Sequence, residues 1–532
     1  MIRQKSQICG NKLIAMITLV DALSSCWFGY DQGVYAGVLV SEDFKEQFPQ
    51  VLDANISGIT SSCFFVRTAL LFSCLWFQSD FWSPSKTEPV QIGAFIGSMA
   101  AFMLGDRLGR RKTIAWGLLC NFLGAILQFT AWHLPQMIIG RLINGFGIGL
   151  TSTTTPVYLS ECAKSHQRGK LVVIGTASNV TSFALANWIA YALYSQNGPF
   201  QWRFPLAFQV IYFFMITPLL LLVPESPRWL LLAGKEESAL EVLSQLAGKD
   251  IPINDDTVTG EFRSIKVAID LEREDRAPLI DVLCFRDKTH NFRRLILSCG
   301  TQFMQQFSGI NALGFYLPTL LAQNVGFSQE MSRLIAAVSG TVYLVSAFGS
   351  VIIIDNLGRR KMLLCGSIAM GICHLIASLC LRSSELDISR QKLMGNVTTA
   401  MFIVFHVFFG LTWACVPWVY SAEVNSLGWR SRGAGAATAT NWLGGFVVTQ
   451  FTKVGIDNLS WAFYLIFAVF CFSYFPIVLF FYPETSNRTL EDMDYMFIQN
   501  PSIFVLGRPE MTQRRRPATF ATAEANRIAR MP

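Results

Sequence analysis

About twelve apolar runs, each near the length of one bilayer crossing, follow one another along this 532-residue chain. A helical crossing needs about 20 mainly apolar residues, because the hydrocarbon layer is about 30 Å thick and each helical residue rises about 1.5 Å. Runs bounded by charge lie near residues 13 to 38, 113 to 132, 136 to 158, 169 to 194, 203 to 223 and 295 to 321. Others lie near 331 to 354, 362 to 381, 397 to 421, 433 to 455 and 461 to 482, and one more ends at Leu104. In lipid a segment must satisfy its own backbone polar groups, so such runs fold as helices. An all-α membrane protein with twelve transmembrane helices is therefore expected. Composition agrees: 52% of residues are hydrophobic and 15% charged, against about 25% charged in soluble domains. That balance excludes an ordinary soluble enzyme.

Basic clusters recur after alternate runs: DRLGRRK at 106 to 112, AKSHQRGK at 163 to 170, DNLGRRK at 355 to 361 and WRSRG at 429 to 433. The positive-inside rule makes these loops cytoplasmic, and an even number of spans then places both termini there. The loop after the first run is acidic (Glu42, Asp43, Glu46, Asp53) and contains an Asn55-Ile56-Ser57 glycosylation sequon, which suits the outside. The opening MIRQKSQICGNK leads into its apolar run without a small-residue cleavage site, so that run reads as a span and not a removed signal peptide. The thirteen cysteines show no CxxC pair or zinc spacing, and most read as small buried residues. The net charge of +7 gives no reason to expect a nucleic-acid partner.

The pattern of one half recurs in the other. GDRLGRRK at 105 to 112 is matched by IDNLGRRK at 354 to 361, and ECAKSHQRG at 161 to 169 by EVNSLGWRSRG at 423 to 433. PESPRWL after the sixth run is matched by PETSNRTL after the twelfth. Two pseudo-symmetric six-helix halves fit a transporter whose halves rock about a site at mid-membrane. The expected organisation is a cytoplasmic N-terminus (1–12), a first half (13–223), a cytoplasmic linker of short helices (224–294), a second half (295–483) and a cytoplasmic tail (484–532), mostly disordered beyond 505.

The segments GYDQG, GDRLGRRK, GRLINGFGIG, PVYLSECAKSHQRG, PESPRWL, QQFSGIN, DNLGRRK, VPWVYSAE and PETSNRTLEDMD together resemble the sugar porter family of the major facilitator superfamily, from about residue 20 to 495. YDQGV and GITSSCF are most similar to its fungal members. The resemblance implies the major facilitator fold and secondary active import of a sugar by alternating access. No covalent catalysis and no cofactor are implied; the partners are a sugar or polyol, protons and the lipid bilayer, with the plasma membrane as the location.

Candidate site residues fall into three groups. Gln305, Gln306 and Asn311 are amides within one apolar run, where unpaired polar groups are costly and where sugar hydroxyls find donors and acceptors. They cover a broad arc of a regular helix, so a bend around Gly309 is expected to help them converge. The resemblance assigns these three to sugar contact and adds Trp418, Asn441 and Trp442 on the tenth and eleventh helices. Asp31 and Arg141 are intramembrane charges costing about 2.5–3.5 kcal/mol each at the bilayer centre on the insertion scale, so they are expected to pair. Proton symporters of the family carry aspartate at the first position and passive facilitators commonly asparagine, which implies proton coupling. The third group is Glu161 and Glu423, each followed seven residues later by arginine (Arg168 and Arg430), with Arg110, Arg111, Arg359 and Arg360 nearby. These are expected to form salt bridges that close the cytoplasmic side.

Two positions depart from the family: Thr176 replaces a common glutamine on the fifth helix, and Tyr343 a common asparagine on the eighth. A hexose, pentose, disaccharide or polyol such as glycerol remains open, as do a passive facilitator and a transporter-like nutrient sensor. Residues 66–91 have no counterpart in the family pattern. Without them, residues 59–65 and 92–104 join into one 20-residue run, and Val66 and Gln91 permit the GT and AG limits of an intron. A retained intron is the reading of this segment, and a real external insertion the alternative.

Overall fold

The computed structural model describes residues 9–39, 41–49, 93–163, 168–196, 198–248, 251–274, 281–282, 286–287, 289–426, 429–488, 490–500 and 502–514. The Asn55 sequon and residues 66–91 lie outside them. Twelve long helical segments carry the architecture, and no strand occurs among the described residues. The first half comprises α1 (Asn11–Leu39), α2 (Gly93–Leu108), α3 (Arg110–Phe129), α4 (Leu134–Cys162), α5 (Arg168–Ala192) and α6 (Phe200–Leu222). The second comprises α7 (291–325, in four pieces), α8 (Gln329–Leu357), α9 (Arg359–Leu386), α10 (Gln391–Val424, interrupted near 412–415), α11 (Arg430–Leu459) and α12 (Trp461–Phe481).

Length and composition make seven of these apolar enough to cross a membrane individually: α1, α3, α6, α8, α9, α10 and α12. The other five are short, interrupted or rich in glycine and polar residues. They can be so because protein encloses them: α2, α5, α7 and α11 pack across the junction of the halves, and α4 lies against α2 and α3.

The repeat seen in the sequence is a repeat of packing. In the first half α1 lies along α5, α3 along α4, and α2 along α4; in the second α7 lies along α11, α9 along α10, and α8 along α10. The halves meet where α5 packs on α8, α2 on α11 and α1 on α7, contacts that the same pseudo-twofold relates. Small residues permit the closest approaches, as in lipid-embedded bundles generally. A Cβ at Gly29 of α1 would lie 1.8 Å from the Asn179 carbonyl oxygen of α5.

Three short helices, Pro227–Leu232, Glu236–Ala247 and Asp256–Glu274, follow α6 on the face that carries Arg110 and Arg359, here termed the basic face. The tail carries structure through residue 514, inside the stretch expected to be mostly without it, and residues 515–532 lie outside the described residues. Its helix Leu490–Gln499 packs on the start of α7, where buried Arg294 pairs with Asp494, donates to the Met493 carbonyl at 3.2 Å and lies over the Phe497 ring. Val505 and Met511 are buried, and their segment bonds back to Phe480 and Glu484. The apolar side chains that hold this segment are too few for a hydropathy window to register.

Gly29→Ala is expected to lower the thermal unfolding midpoint of the detergent-purified protein, since overpacking costs about 1–3 kcal/mol. Gly260→Ala, in a helix with nothing within 4 Å of the added methyl, is expected to leave the midpoint unchanged or raise it.

Candidate functional site

The centre of the second half is a break in α7. Between Gln306 and Ile310 the backbone leaves α geometry for a π turn, and Gly309 takes φ 92° and ψ 4°. On a regular helix residues 306 and 311 stand about 140° apart at about 100° per residue. The break brings them together, and Asn311 Nδ2 donates to Gln306 Oε1 at 2.5 Å. Gln305 Nε2 donates to the Trp413 and Ala414 carbonyls at 2.7 and 3.1 Å, where α10 is interrupted. Asn441 Nδ2 of α11 donates to both Gln305 Oε1 and Gln302 Oε1, at 2.8 and 2.7 Å. The amides thus pair with one another and with carbonyls released by a second helix break. A sugar hydroxyl both donates and accepts, so it can replace such amide–amide bonds without leaving a buried group unpaired.

Trp442, next to Asn441, is fully buried and meets Phe28 of α1 edge-on at 4.9 Å between ring centres, a contact across the two halves. Trp418 lies half-buried on the second piece of α10. Tyr343 packs against Phe183 of the opposite half at 6.1 Å, and Trp188 Nε1 donates to Thr341 Oγ1 at 2.8 Å beside it. Thr176 is half-buried on α5. Gln302 is the cluster member that the sequence reading passed over; its spacing of three from Gln305 puts both on one face of α7.

Inside the first half, Arg141 Nη2 lies 3.6 Å from Asp31 Oδ2, and neither side chain exposes any surface. Asn144 Nδ2 donates to Asp31 Oδ1 at 2.7 Å, Gln128 Oε1 accepts from Arg141 at 3.4 Å, and the guanidinium lies 4.1 Å from the Tyr35 ring centre. Asn144 is one helical turn from Arg141 and was not singled out from sequence. Nor was Asp21, a second buried carboxyl on α1, whose Oδ2 fits against Gly175 of α5 and whose Oδ1 has no hydrogen-bond partner among the described residues.

On the basic face the two halves repeat one arrangement. Arg110 grips Glu161 with two bonds of 3.2 and 3.0 Å, and Arg359 grips Glu423 with bonds of 3.2 and 2.9 Å. Each pair joins two helices within its own half. Glu225 of PESPRWL accepts the backbone N–H groups of Arg110 and Arg111, and Glu484 of PETSNRTL those of Arg359 and Arg360. A carboxylate on the first N–H groups of a helix satisfies orphan donors and complements the helix dipole. Glycines of positive φ, Gly109 and Gly358, leave the space: a Cβ there would lie 2.7 and 2.5 Å from those carboxylates. Arg111 and Arg360 reach back to the ends of α6 and α12, donating to the Leu221 and Leu479 carbonyls at 3.2 and 2.7 Å. Arg430 is half-buried at the start of α11; Arg168 starts α5, and its side chain lies outside the described residues. Glu225 and Glu484 were visible in sequence as matched exit motifs, but their place on a distant helix terminus was not.

Two pseudo-symmetric six-helix halves with polar groups buried at and beside their junction define a membrane transporter of the major facilitator fold, not an enzyme. The chain belongs to the sugar porter family, matching the family described as Sugar (and other) transporter over residues 17–497. It is 36% identical to the MFS-type transporter oryC of Aspergillus oryzae, over 98% of this chain and 92% of that one. It is 31% identical to the sugar transporter STL1 of Saccharomyces cerevisiae, over 92% of this chain and 82% of that one. Among solved structures, the proton:xylose symporter XylE bound to 6-bromo-6-deoxy-D-glucose shares its fold, with a TM-score of 0.73 at 23% identity, over 91% of this chain and 98% of that one.

Glu225→Ala and Glu484→Ala are each expected to lower the thermal midpoint of the purified protein, since hydrogen bonds to a charged group contribute about 1.5–3 kcal/mol. Glu225→Gln and Glu484→Gln, which keep one acceptor oxygen, are expected to fall in between.

Proposed function

We propose that this protein imports a monosaccharide of the hexose class together with a proton by alternating access across the plasma membrane, with both termini in the cytoplasm. The observation that carries the coupling is the fully enclosed Asp31–Arg141 pair, held by Asn144 and Gln128. A structural pair in lipid is better replaced by apolar residues unless its charge state is used. Proton binding to Asp31 neutralises its carboxylate and releases Arg141, which keeps its charge; proton loss restores the attraction. Because Asp31 lies three residues from Phe28, which touches Trp442, a shift of α1 on discharge reaches the contact between the halves.

The substrate occupies the space between the halves, with Gln305, Gln306, Asn311 and Asn441 exchanging their mutual bonds for sugar hydroxyls and Trp418 and Trp442 supplying apolar faces. The Arg110–Glu161 and Arg359–Glu423 pairs, with Arg111, Arg168, Arg360 and Arg430, belong to the cytoplasmic salt-bridge network that separates when that side opens. The driving force is the proton gradient, and no cofactor takes part. The two departures at Thr176 and Tyr343 favour testing polyols and disaccharides beside hexoses and pentoses.

The test is initial uptake of a labelled sugar and polyol panel, with and without a protonophore, in hexose-uptake-deficient yeast expressing the chain with and without residues 66–91. Accumulation of one panel member that the protonophore abolishes is expected. Asp31→Asn is expected to abolish accumulation above the external level while leaving the protein at the cell surface. Protonophore-insensitive equilibration by the unaltered chain makes it a facilitator, and surface protein without uptake of any panel member favours a sensor.

A further inference from the structure

His374 sits in the middle of α9, 1% exposed, between the rings of Phe405 and Phe467 at 4.6 and 5.6 Å. Its Nε2 is 2.9 Å from the carbonyl oxygen of Ser308, inside the π turn of α7. A carbonyl only accepts, so Nε2 carries the proton and donates it, which leaves Nδ1 unprotonated, buried and without a hydrogen-bond partner among the described residues. A Cβ at Gly309 would lie 3.0 Å from that same Nε2, so the glycine at the break and the imidazole behind it fit one another. The Ser308 hydroxyl in turn donates to the Gln305 carbonyl at 2.6 Å. One buried N–H thus reaches the turn flanked by Gln305 and Gln306 on one side and Asn311 on the other.

We infer that His374 is a positioning residue for the sugar site: its Nε2–H holds the Ser308 carbonyl, fixes the break in α7 and thereby sets the mutual placement of Gln305, Gln306 and Asn311. The inference rests on the proposal that these amides bind the sugar. Isolated π turns are strained and persist where something outside the helix over-determines them. The imidazole supplies that restraint from α9, which lies behind α7 and is not itself one of the helices named above as joining the halves. Without the N–H, the Ser308 carbonyl is a buried acceptor with one partner fewer, and the turn is free to relax towards regular geometry. Relaxation rotates Gln306 away from Asn311, because the 2.5 Å bond between them needs the break.

The experiment compares His374→Gln, His374→Asn and His374→Phe with the unaltered chain for KM and maximal rate of its transported sugar, at equal surface abundance. The side-chain nitrogen of Gln reaches the place of Nε2, whereas that of Asn stops near Nδ1 and falls short of the Ser308 carbonyl. Loss of one buried hydrogen bond is worth about one order of magnitude in affinity. His374→Phe and His374→Asn are therefore expected to raise KM about tenfold, with His374→Gln within about threefold of the unaltered chain. Equal KM values for Gln and Asn, or an unchanged KM for Phe, overturn the inference. If the Phe variant does not reach the surface, the contrast between the two amides, which differ by one methylene, decides. Gln306→Ala is measured alongside: no effect on KM there sinks the amide site itself and the inference with it, whereas a raised KM with a flat His374 series removes only the positioning role.

Discussion

Asp31 and Arg141 face each other at 3.6 Å with no side-chain surface exposed, and the organisation of the first half follows from keeping them so. Neither charge is tolerable alone at the middle of a bilayer, so α1 and α4 have to bring them together and neighbouring helices have to exclude lipid from them. Asn144 and Gln128 take up part of the remaining hydrogen-bonding capacity. The close seam of α1 on α5, possible because Gly29 has no side chain, packs the helix that carries Asp31. A charge pair built at this expense sits on α1, and α1 is one of the helices through which the halves touch.

The second half solves a related problem with neutral groups. Gln302, Gln305, Gln306, Asn311 and Asn441 bond one another and two carbonyls of the interrupted α10. The break at Gly309 aims the side chains of Gln306 and Asn311 at one another, and the one near 412–415 releases backbone acceptors for Gln305 to use. At the basic face each half is tied off by the same device, a carboxylate after the sixth helix of that half resting on the first N–H groups of its third. The halves are thereby made stiff bodies, which is what a rocking mechanism requires of them.

The twelve helices were legible because the lipid imposes a length and an apolar composition, and the two halves because the motifs repeat at matched positions. The bend at Gly309 was legible too, since Gln306 and Asn311 cannot meet on a straight helix. What escaped was set by distant contacts. Asn144 lies in a run of glycines and large apolar residues and acquires meaning only beside Asp31. Glu225 and Glu484 read as parts of exit motifs, and their carboxylates find Arg110 and Arg359 more than a hundred residues away in sequence. His374 and Asp21 are single polar residues in apolar runs, where periodicity alone does not separate a packed residue from a working one. The tail between 505 and 514 escaped because a few buried side chains, Val505 and Met511 among them, hold it without any periodic pattern.

The central claim is that sugar entry and proton entry are one event. The most direct measurement uses the purified protein in liposomes enclosing a pH-sensitive dye, with no pre-existing pH gradient and with potassium and valinomycin to clamp the membrane potential. Addition of the transported sugar outside is predicted to acidify the lumen at a rate proportional to sugar entry, and Asp31→Asn to carry no such proton flux. Labelled sugar entering the same liposomes while the lumen keeps its pH would contradict the account.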